Sequence, residues 1–405
     1  MKILVLNCGS SSIKYRLYAM PGNLDIAHGQ IERIGDGDSQ ASQLANGQEL
    51  AVRRPISDHQ AGLELLAEML TDPEQGAIKN LTEISACGHR VVHGGEAISG
   101  SVLIDTDLEA LIEDYFDLAP LHNPPNLMGI RAAKQMLGDI PQVACFDTAF
   151  HQSLPKKAYL YALPYDLYAD LRIRRYGFHG TSHRYVSRRA AILMGKGKYN
   201  VNLITCHLGN GCSVAAIQAG KSVDTSMGMT PLEGLVMGTR TGDLDPGITF
   251  YLCRKGYAEK ELSRLFNKKS GLLGISGLSN DVRDLEIKAN NGDSRAELAL
   301  EIFAYRVRKF IGAYLAVLDG VDGIVFTGGI GENGGRMRER ILSGLQHLGI
   351  DLDQKKNYST TEPEREIQNG KSILKIFIIP TNEEFAIAND TYQLGILGRK
   401  PTLTN

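Results

Sequence analysis

The sequence predicts an α/β protein of two domains, each built on a mixed sheet with a phosphate-sized turn. Three observations carry this. The chain has 405 residues, more than one ordinary core encloses. Residues 3–18, "ILVLNCGSSSIKYRLY", and 202–217, "NLITCHLGNGCSVAAI", share one organisation: apolar strand, tight turn of Gly and small polar residues, apolar strand. Segments with helical spacing of apolar residues alternate with strand-like runs.

Taken in order, the apolar runs at 3–6, 13–18, 26–32 and 86–92 read as strands. Residues 61–70, "AGLELLAEML", have helical periodicity. "NPPN", 123–126, punctuates the chain before a helix over about 127–137. A short strand, 142–146, ends at Asp147. The second half repeats the theme, with a third Gly-rich turn in "GIVFTGGIGENGG", 323–335, and a helix from Arg336. Residues 295–319 predict a long buried helix. The expected domains are 1–150 and 151–384, the chain returning to the first through a final helix, 385–405.

Composition narrows the function. A net charge of −2 gives no bulk attraction to nucleic acid or to an anionic membrane. No apolar run approaches spanning length, and Lys2 precedes only four apolar residues, too few for a secretory signal. Six cysteines without a C-x-x-C pair read as buried free thiols in a reducing cytoplasm. His179 and His183, in "HGTSH", stand four apart as zinc ligands do, but the motif lacks the internal Glu of metalloproteases.

The turn "NCGSSSIKY" holds more than a bend requires. Gly9 permits close approach of a ligand, Ser10, Ser11 and Ser12 add hydroxyl donors, and Lys14 adds a point charge. With "HLGNGCS" it suggests two walls around a polyphosphate, and "GGIGEN" suggests a nucleoside site. No P-loop motif is present. "GIGENG" matches G-x-G-x-x-G, with Asp351 about twenty residues on, so a nicotinamide enzyme is a rival reading. It leaves the first two turns and "TNEE" unexplained. Arg90, His122, Asp147, His179 and Arg240 sit at strand ends or in turns, where sites collect. Neither arginine has an evident acidic partner close in sequence. Asn7 with Glu383 suits Mg²⁺, which keeps several waters and takes few protein oxygens.

These blocks together resemble the acetate kinase family. "LVLNCGSSSIKY" and "HLGNGCSVAAI" are similar to its two signatures. "GHRVVHGG", "FDTAFHQ", "RRYGFHGTSH", "MGTRTGDLDPG", "FTGGIGEN" and "PTNEE" follow in family order over nearly the whole chain. The resemblance implies the two-domain actin-like ATPase fold shared with sugar kinases and Hsp70, with a duplicated mixed-sheet core. It also implies a homodimer and reversible phosphoryl transfer between ATP and acetate, giving ADP and acetyl phosphate. Propionate or butyrate as the acceptor is the alternative within the family, and a non-enzymatic actin-like ATP-binding module the one outside it.

The acceptor sets what catalysis must do. A simple carboxylic acid, with a pKa of roughly 4.3, is ionised at neutral pH and needs no general base. The task is to bring one anion against another, by positioning and charge neutralisation. The resemblance implies that Arg90 and Arg240 grip the carboxylate and the transferring group, and that His122 and His179 donate to phosphoryl oxygens. Asp147, a proton donor or acceptor in family accounts, would here orient an arginine or a metal-bound water. His207, Leu208, Gly209, Asn210 and Gly211 would cradle phosphates. Lys14, Asp281, Val282, Arg283, Gly329, Ile330, Gly331, Glu332 and Asn333 would complete the nucleotide site. Asn7 and Glu383 would hold Mg²⁺, or Mn²⁺, and Val92, Leu121, Phe178 and Pro231 would wall the acyl group. Domain closure about hinges near 150 and 381–385 would exclude water.

Overall fold

The structure, a computed structural model, describes residues 1–400. It resolves into two compact units. The first is Met1–Ala149 together with the chain from Asn382; the second is Phe150–Thr381. Glu383 is therefore part of the first unit.

The first unit holds an eight-stranded sheet. Its strands are β1 (Lys2–Cys8), β2 (Ser12–Ala19), β3 (Leu24–Glu32), β4 (Gln40–Ala45), β5 (Gln48–Arg53), β6 (Ile84–Val91), β7 (Val102–Leu103) and β8 (Gln142–Phe146), in spatial order β5-β4-β3-β2-β1-β6-β8-β7. Alternation along β1 explains its continuous apolar run. Leu4 and Leu6 pack with Leu63, Leu66 and Met69 of the helix His59–Leu70. Ile3 and Val5 pack on the other face with Ile387 and Ala388 of the helix Glu383–Thr391. That last helix begins two residues before the expected 385 and gives way to a π-helical turn, Tyr392–Ile396. The rest of the helix expected over 385–405 partly falls at 401–405, outside the described residues. The helix Asn123–Leu137 starts four residues earlier than its periodicity predicts, because Pro124 and Pro125 occupy the first turn, where no N–H is needed.

The second unit holds a six-stranded sheet of β9 (Leu203–Leu208), β10 (Cys212–Gln218), β11 (Lys221–Thr225), β12 (Gly323–Thr327), β13 (Arg365–Glu366) and β14 (Lys375–Ile378), ordered β11-β10-β9-β12-β14-β13. The helix Gly180–Leu193 covers one face through Val186 and Ala190 against Leu203, Val325 and Phe377. The expected long helix runs Ser294–Val317. The third Gly-rich turn is instead a short helix, Gly328–Asn333.

The duplication legible in the two hairpins extends through five strands. In the first unit β3, β2 and β1 are antiparallel neighbours, and β1, β6 and β8 are parallel ones. In the second, β11, β10 and β9 are antiparallel, and β9, β12 and β14 are parallel. Carboxyl ends of adjacent parallel strands are where α/β proteins bind ligands. In each unit the Gly-rich hairpin turn lies at that edge.

Of the six cysteines, five are buried, but Cys253 is exposed, on a helix (Gly247–Arg254) that buries none of its residues.

One buried group tests the packing of the first sheet. His89 is 2% exposed, its Nε2 lies 2.7 Å from Gln142 Oε1, and burial lowers its pKa to about 4. A histidine held neutral in the fold but free to ionise in the unfolded chain, near pH 6.5, withdraws stability as pH falls toward 4. Urea denaturation at pH 7.5 and pH 5 should therefore show wild type losing about 2 kcal/mol more than His89→Gln. Equal losses would mean that His89 does not titrate on unfolding.

Candidate functional site

The candidate residues fall into two half-sites, one in each unit. In the first, Arg90 is the penultimate residue of β6, paired in register with Cys145, and Asp147 follows β8 directly. Arg90 holds Asp147 by both oxygens, Nε to Oδ1 at 3.0 Å and Nη2 to Oδ2 at 2.7 Å. The absence of an acidic partner near Arg90 in sequence is thus corrected by the sheet, which brings in an aspartate from two strands away in the chain. Asp147 is 1% exposed, and its charge keeps the Arg90 guanidinium firmly protonated.

Glu383 stands in the first turn of its helix, 3.9 Å from Arg90 Nε. Burial pushes its carboxyl up to about 7; Arg90 opposes the rise, and Asp147 and Glu384 add to it. Three carboxylates thus act around one arginine. Asn7 is half-buried on β1 and stands opposite the exposed Lys14 on β2. Among the described residues no group of three His, Cys, Asp or Glu is placed to hold a metal alone. An octahedral hard cation that keeps most of its waters fits this sparse oxygen set and its shortage of positive charge.

Val92 is buried, His122 is half-buried at the N-cap of its helix, and Leu121 is 57% exposed. Two asparagines that sequence reading passed over as punctuation fix this region. Past the end of β6 the backbone loses its ladder partners and needs others. Asn126 Oδ1 accepts from Val92 N at 3.0 Å, and its Nδ2 donates to Cys8 O at 2.7 Å. Asn123 does the same for both backbone groups of His93. The signal was present in "NPPN": two amides three apart, on one helix face.

In the second unit a cavity of about 580 Å³ is lined by Gly209, Asn210, Asp281, Val282, Arg283, Gly329, Ile330 and Asn333, all expected nucleotide residues. Asn280, Glu286, Arg336 and Tyr358 also line it and carried no sequence signal. Asn210 Oδ1 accepts from Asn280 at 2.9 Å, and a Cβ at Gly238 would stand 2.1 Å from that oxygen, so any larger residue there would displace the amide. Leu208 and Gly331 are instead buried beneath. Glu332 turns inward, accepting from Gly328 N at 2.8 Å and Thr381 N at 3.0 Å, which makes it a brace for the loop.

Beside the cavity, His179 is the N-cap of the helix Gly180–Leu193, in a left-handed conformation with φ +57°. Its ring stacks on His207 at 4.3 Å between centroids, and its Nδ1 lies 2.8 Å from Ser213 Oγ. His207 Nδ1 meets Ser182 Oγ at 2.8 Å. The spacing in "HGTSH" thus serves hydrogen bonding to a strand face. Phe178 is buried and Pro231 half-buried. Arg240 is half-buried and makes no salt bridge among the described residues; it donates to Pro231 O at 3.3 Å and approaches Met237 Sδ at 3.7 Å. Burial lowers its pKa. Its loop is pinned by Arg175, whose Nη2 reaches Glu233 at 2.6 Å and whose Nη1 gathers the carbonyls of Thr225, Ser226 and Met227.

Comparison with known proteins agrees along nearly the whole chain. A family model described as the acetokinase family matches residues 2–389. The acetate kinase of Methanosarcina acetivorans is 53% identical over 396 residues, 97% of each chain. Among solved structures, Porphyromonas gingivalis acetate kinase aligns with a TM-score of 0.92 at 46% identity, covering 96% of this chain and 98% of that one. A propionate kinase from Francisella tularensis subsp. tularensis SCHU S4 aligns with 0.91 at 44%, covering 96% and 98%. The fold is accordingly the two-domain actin-like one, and the G-x-G-x-x-G match belongs to it rather than to a dinucleotide enzyme.

The asparagine brace yields a direct test. Asn126→Ala strands two buried backbone groups, at about 1–3 kcal/mol each. Denaturation should show a loss of about 3 kcal/mol. A loss below about 1 kcal/mol would mean that the loop finds other partners.

Proposed function

The chain belongs to the acetokinase family, and we propose that it catalyses reversible transfer of the γ-phosphoryl group of ATP to acetate, giving ADP and acetyl phosphate. A carboxylate oxygen forms the new bond to phosphorus, the bond to the bridging oxygen of ADP breaks, and no proton moves. The Arg90–Asp147 pair supports this most directly. The most deeply buried carboxylate of the first half-site has both oxygens held by an arginine, so it orients a cation and is not poised as a base. An acceptor already ionised needs none.

In this reading the second unit, Phe150–Thr381, carries the nucleotide through its cavity and the turn Gly209–Gly211. Arg240 and His179 face the transferring phosphoryl group, and the half-buried Arg240, without a carboxylate, is completed electrostatically by an anion. The first unit contributes Arg90 to the acetate carboxylate and His122 as a further donor. The reaction uses ATP and ADP with a divalent metal. Asn7 and Glu383 would hold Mg²⁺, or Mn²⁺, which supplies charge neutralisation at the phosphates.

No helix among the described residues is long and apolar enough to cross a membrane. Six free thiols suit a reducing cytoplasm. The homodimer implied by the resemblance has a candidate surface in the helix Gly247–Arg254, where Phe250 is 65% and Tyr251 53% exposed.

Propionate as preferred acid is the second reading, favoured by the propionate kinase neighbour. Val92 follows Arg90 by two, and as a wall of the acyl site it would leave room for a methyl but crowd an ethyl group. One methylene is worth only about 1–3 kcal/mol, so discrimination is leaky. Acyl phosphate trapped with hydroxylamine should form fastest with acetate, more slowly with propionate and poorly with butyrate. Val92→Ala should raise kcat/KM for propionate relative to acetate. No hydroxamate with any short acid would end the kinase reading; an unchanged ratio would remove Val92 from the acyl pocket.

A further inference from the structure

Thr205, His207 and Ser213 share one face of the hairpin β9–β10. Thr205 and His207 are two apart on β9, and Ser213 stands opposite His207 in the register. The helix Gly180–Leu193 lays His183 on that face, with His179 one turn earlier at the N-cap. One line of hydrogen bonds results. Thr205 Oγ1 lies 2.7 Å from His183 Nδ1, His183 Nε2 lies 2.8 Å from Ser213 Oγ, and Ser213 Oγ lies 2.8 Å from His179 Nδ1.

The line has a direction. Thr205 is fully buried, and among the described residues its hydroxyl meets no acceptor except His183 Nδ1. Were it to accept there, its own O–H would be buried without a partner. Thr205 therefore donates. His183 is buried as a neutral ring, so its single N–H is on Nε2 and goes to Ser213 Oγ. Ser213 is fully buried too, and among the described residues its hydroxyl meets no other acceptor, so the Ser213 O–H goes to His179 Nδ1. A neutral His179 is left with its proton on Nε2. This edge faces Gly211: a Cβ built there would lie 3.4 Å from His179 Nε2 and 3.5 Å from Arg240 Nη1. The residue before His179 is fixed separately, since the Phe178 carbonyl accepts from His151 Nε2 at 3.0 Å.

We propose that Ser213, aligned by His183 and Thr205, is a positioning residue that locks His179 as the Nε2–H tautomer. It thereby turns a hydrogen-bond donor, not a lone pair, toward the space shared with Arg240. The inference rests on the kinase reading for what occupies that space, but not for the tautomer. A lone pair there would repel an anionic phosphoryl oxygen; a fixed donor stabilises it without reorganisation.

The test is ¹⁵N NMR of the full-length, histidine-labelled, ligand-free protein, with His179 assigned through His179→Asn. Wild type should show Nε2 protonated and Nδ1 bare. Ser213→Ala should leave both tautomers populated and lower kcat about tenfold, a fraction of the 10²–10³ lost when such a donor is removed outright. KM for ATP and for acetate should stay within about twofold, since tautomer choice acts on the transition state. Ser213→Thr, which keeps the hydroxyl, should restore the wild-type tautomer and most of the turnover. An Nδ1–H tautomer in wild type, or wild-type kcat in Ser213→Ala, would overturn the proposal. The wild-type spectrum decides even if Ser213→Ala fails to fold, and a wild type inert to hydroxylamine trapping would sink the kinase reading separately.

Discussion

Arg240 is a charged group held partly out of water with no counter-charge in its own unit. Its hydrogen bonds go to a carbonyl and toward a thioether, and among the described residues no carboxylate pairs with it. Folding must bear the desolvation of that guanidinium. Much of the second unit is arranged to make this tolerable and to keep the group in place. Arg175 and Glu233 pin the loop that carries it, with three backbone carbonyls turned onto Arg175. Gly211 keeps the space beside it clear. Arg90 is the opposite case: its charge is matched inside the first unit by Asp147, with Glu383 close by. One arginine is complete without ligand and the other is not.

Both half-sites rest on the same scaffold logic. A hairpin whose first strand is also the parallel partner of a third puts a Gly-rich turn next to the carboxyl end of a parallel strand. β1 is buried on both faces and its partner β2 alternates between buried and exposed residues, so register is strongly set: a slip by one residue in β1 would exchange Leu4 and Leu6 for Ile3 and Val5. Side chains at the edge are then fixed by polar braces where the ladder ends, Asn123 and Asn126 in one unit and Glu332 in the other.

The parts of this legible in sequence were those with a local signal. The hairpin strands, the helix Ser294–Val317 and the strand Gln142–Phe146 declare themselves by periodicity and flanking turns. The Gly-rich turns and strand-end charges marked the candidate site residues. Long-range pairing was not legible. Nothing near Arg90 in the chain points to Asp147, which arrives by the β6–β8 register. Glu286, Arg336 and Tyr358 line the cavity from separate segments without a shared pattern. Ser213 and Thr205 look like ordinary strand residues until the helix places His183 between them. "GGIGEN" read as a turn because three glycines weigh against helix, yet it forms a short one, braced by the Glu332 carboxylate at the Gly328 N–H.

The contrast between the two arginines can be measured without any substrate. Each is replaced by methionine, similar in length and neutral, and equilibrium unfolding of the ligand-free protein is followed in urea. Arg90→Met leaves Asp147 buried without its partner and should cost about 3 kcal/mol. Arg240→Met removes a desolvated charge that has no partner, and should leave stability unchanged or raise it by about 1 kcal/mol, while turnover collapses. Arg240→Met as destabilising as Arg90→Met would show that Arg240 is matched within the folded chain, and would contradict the account.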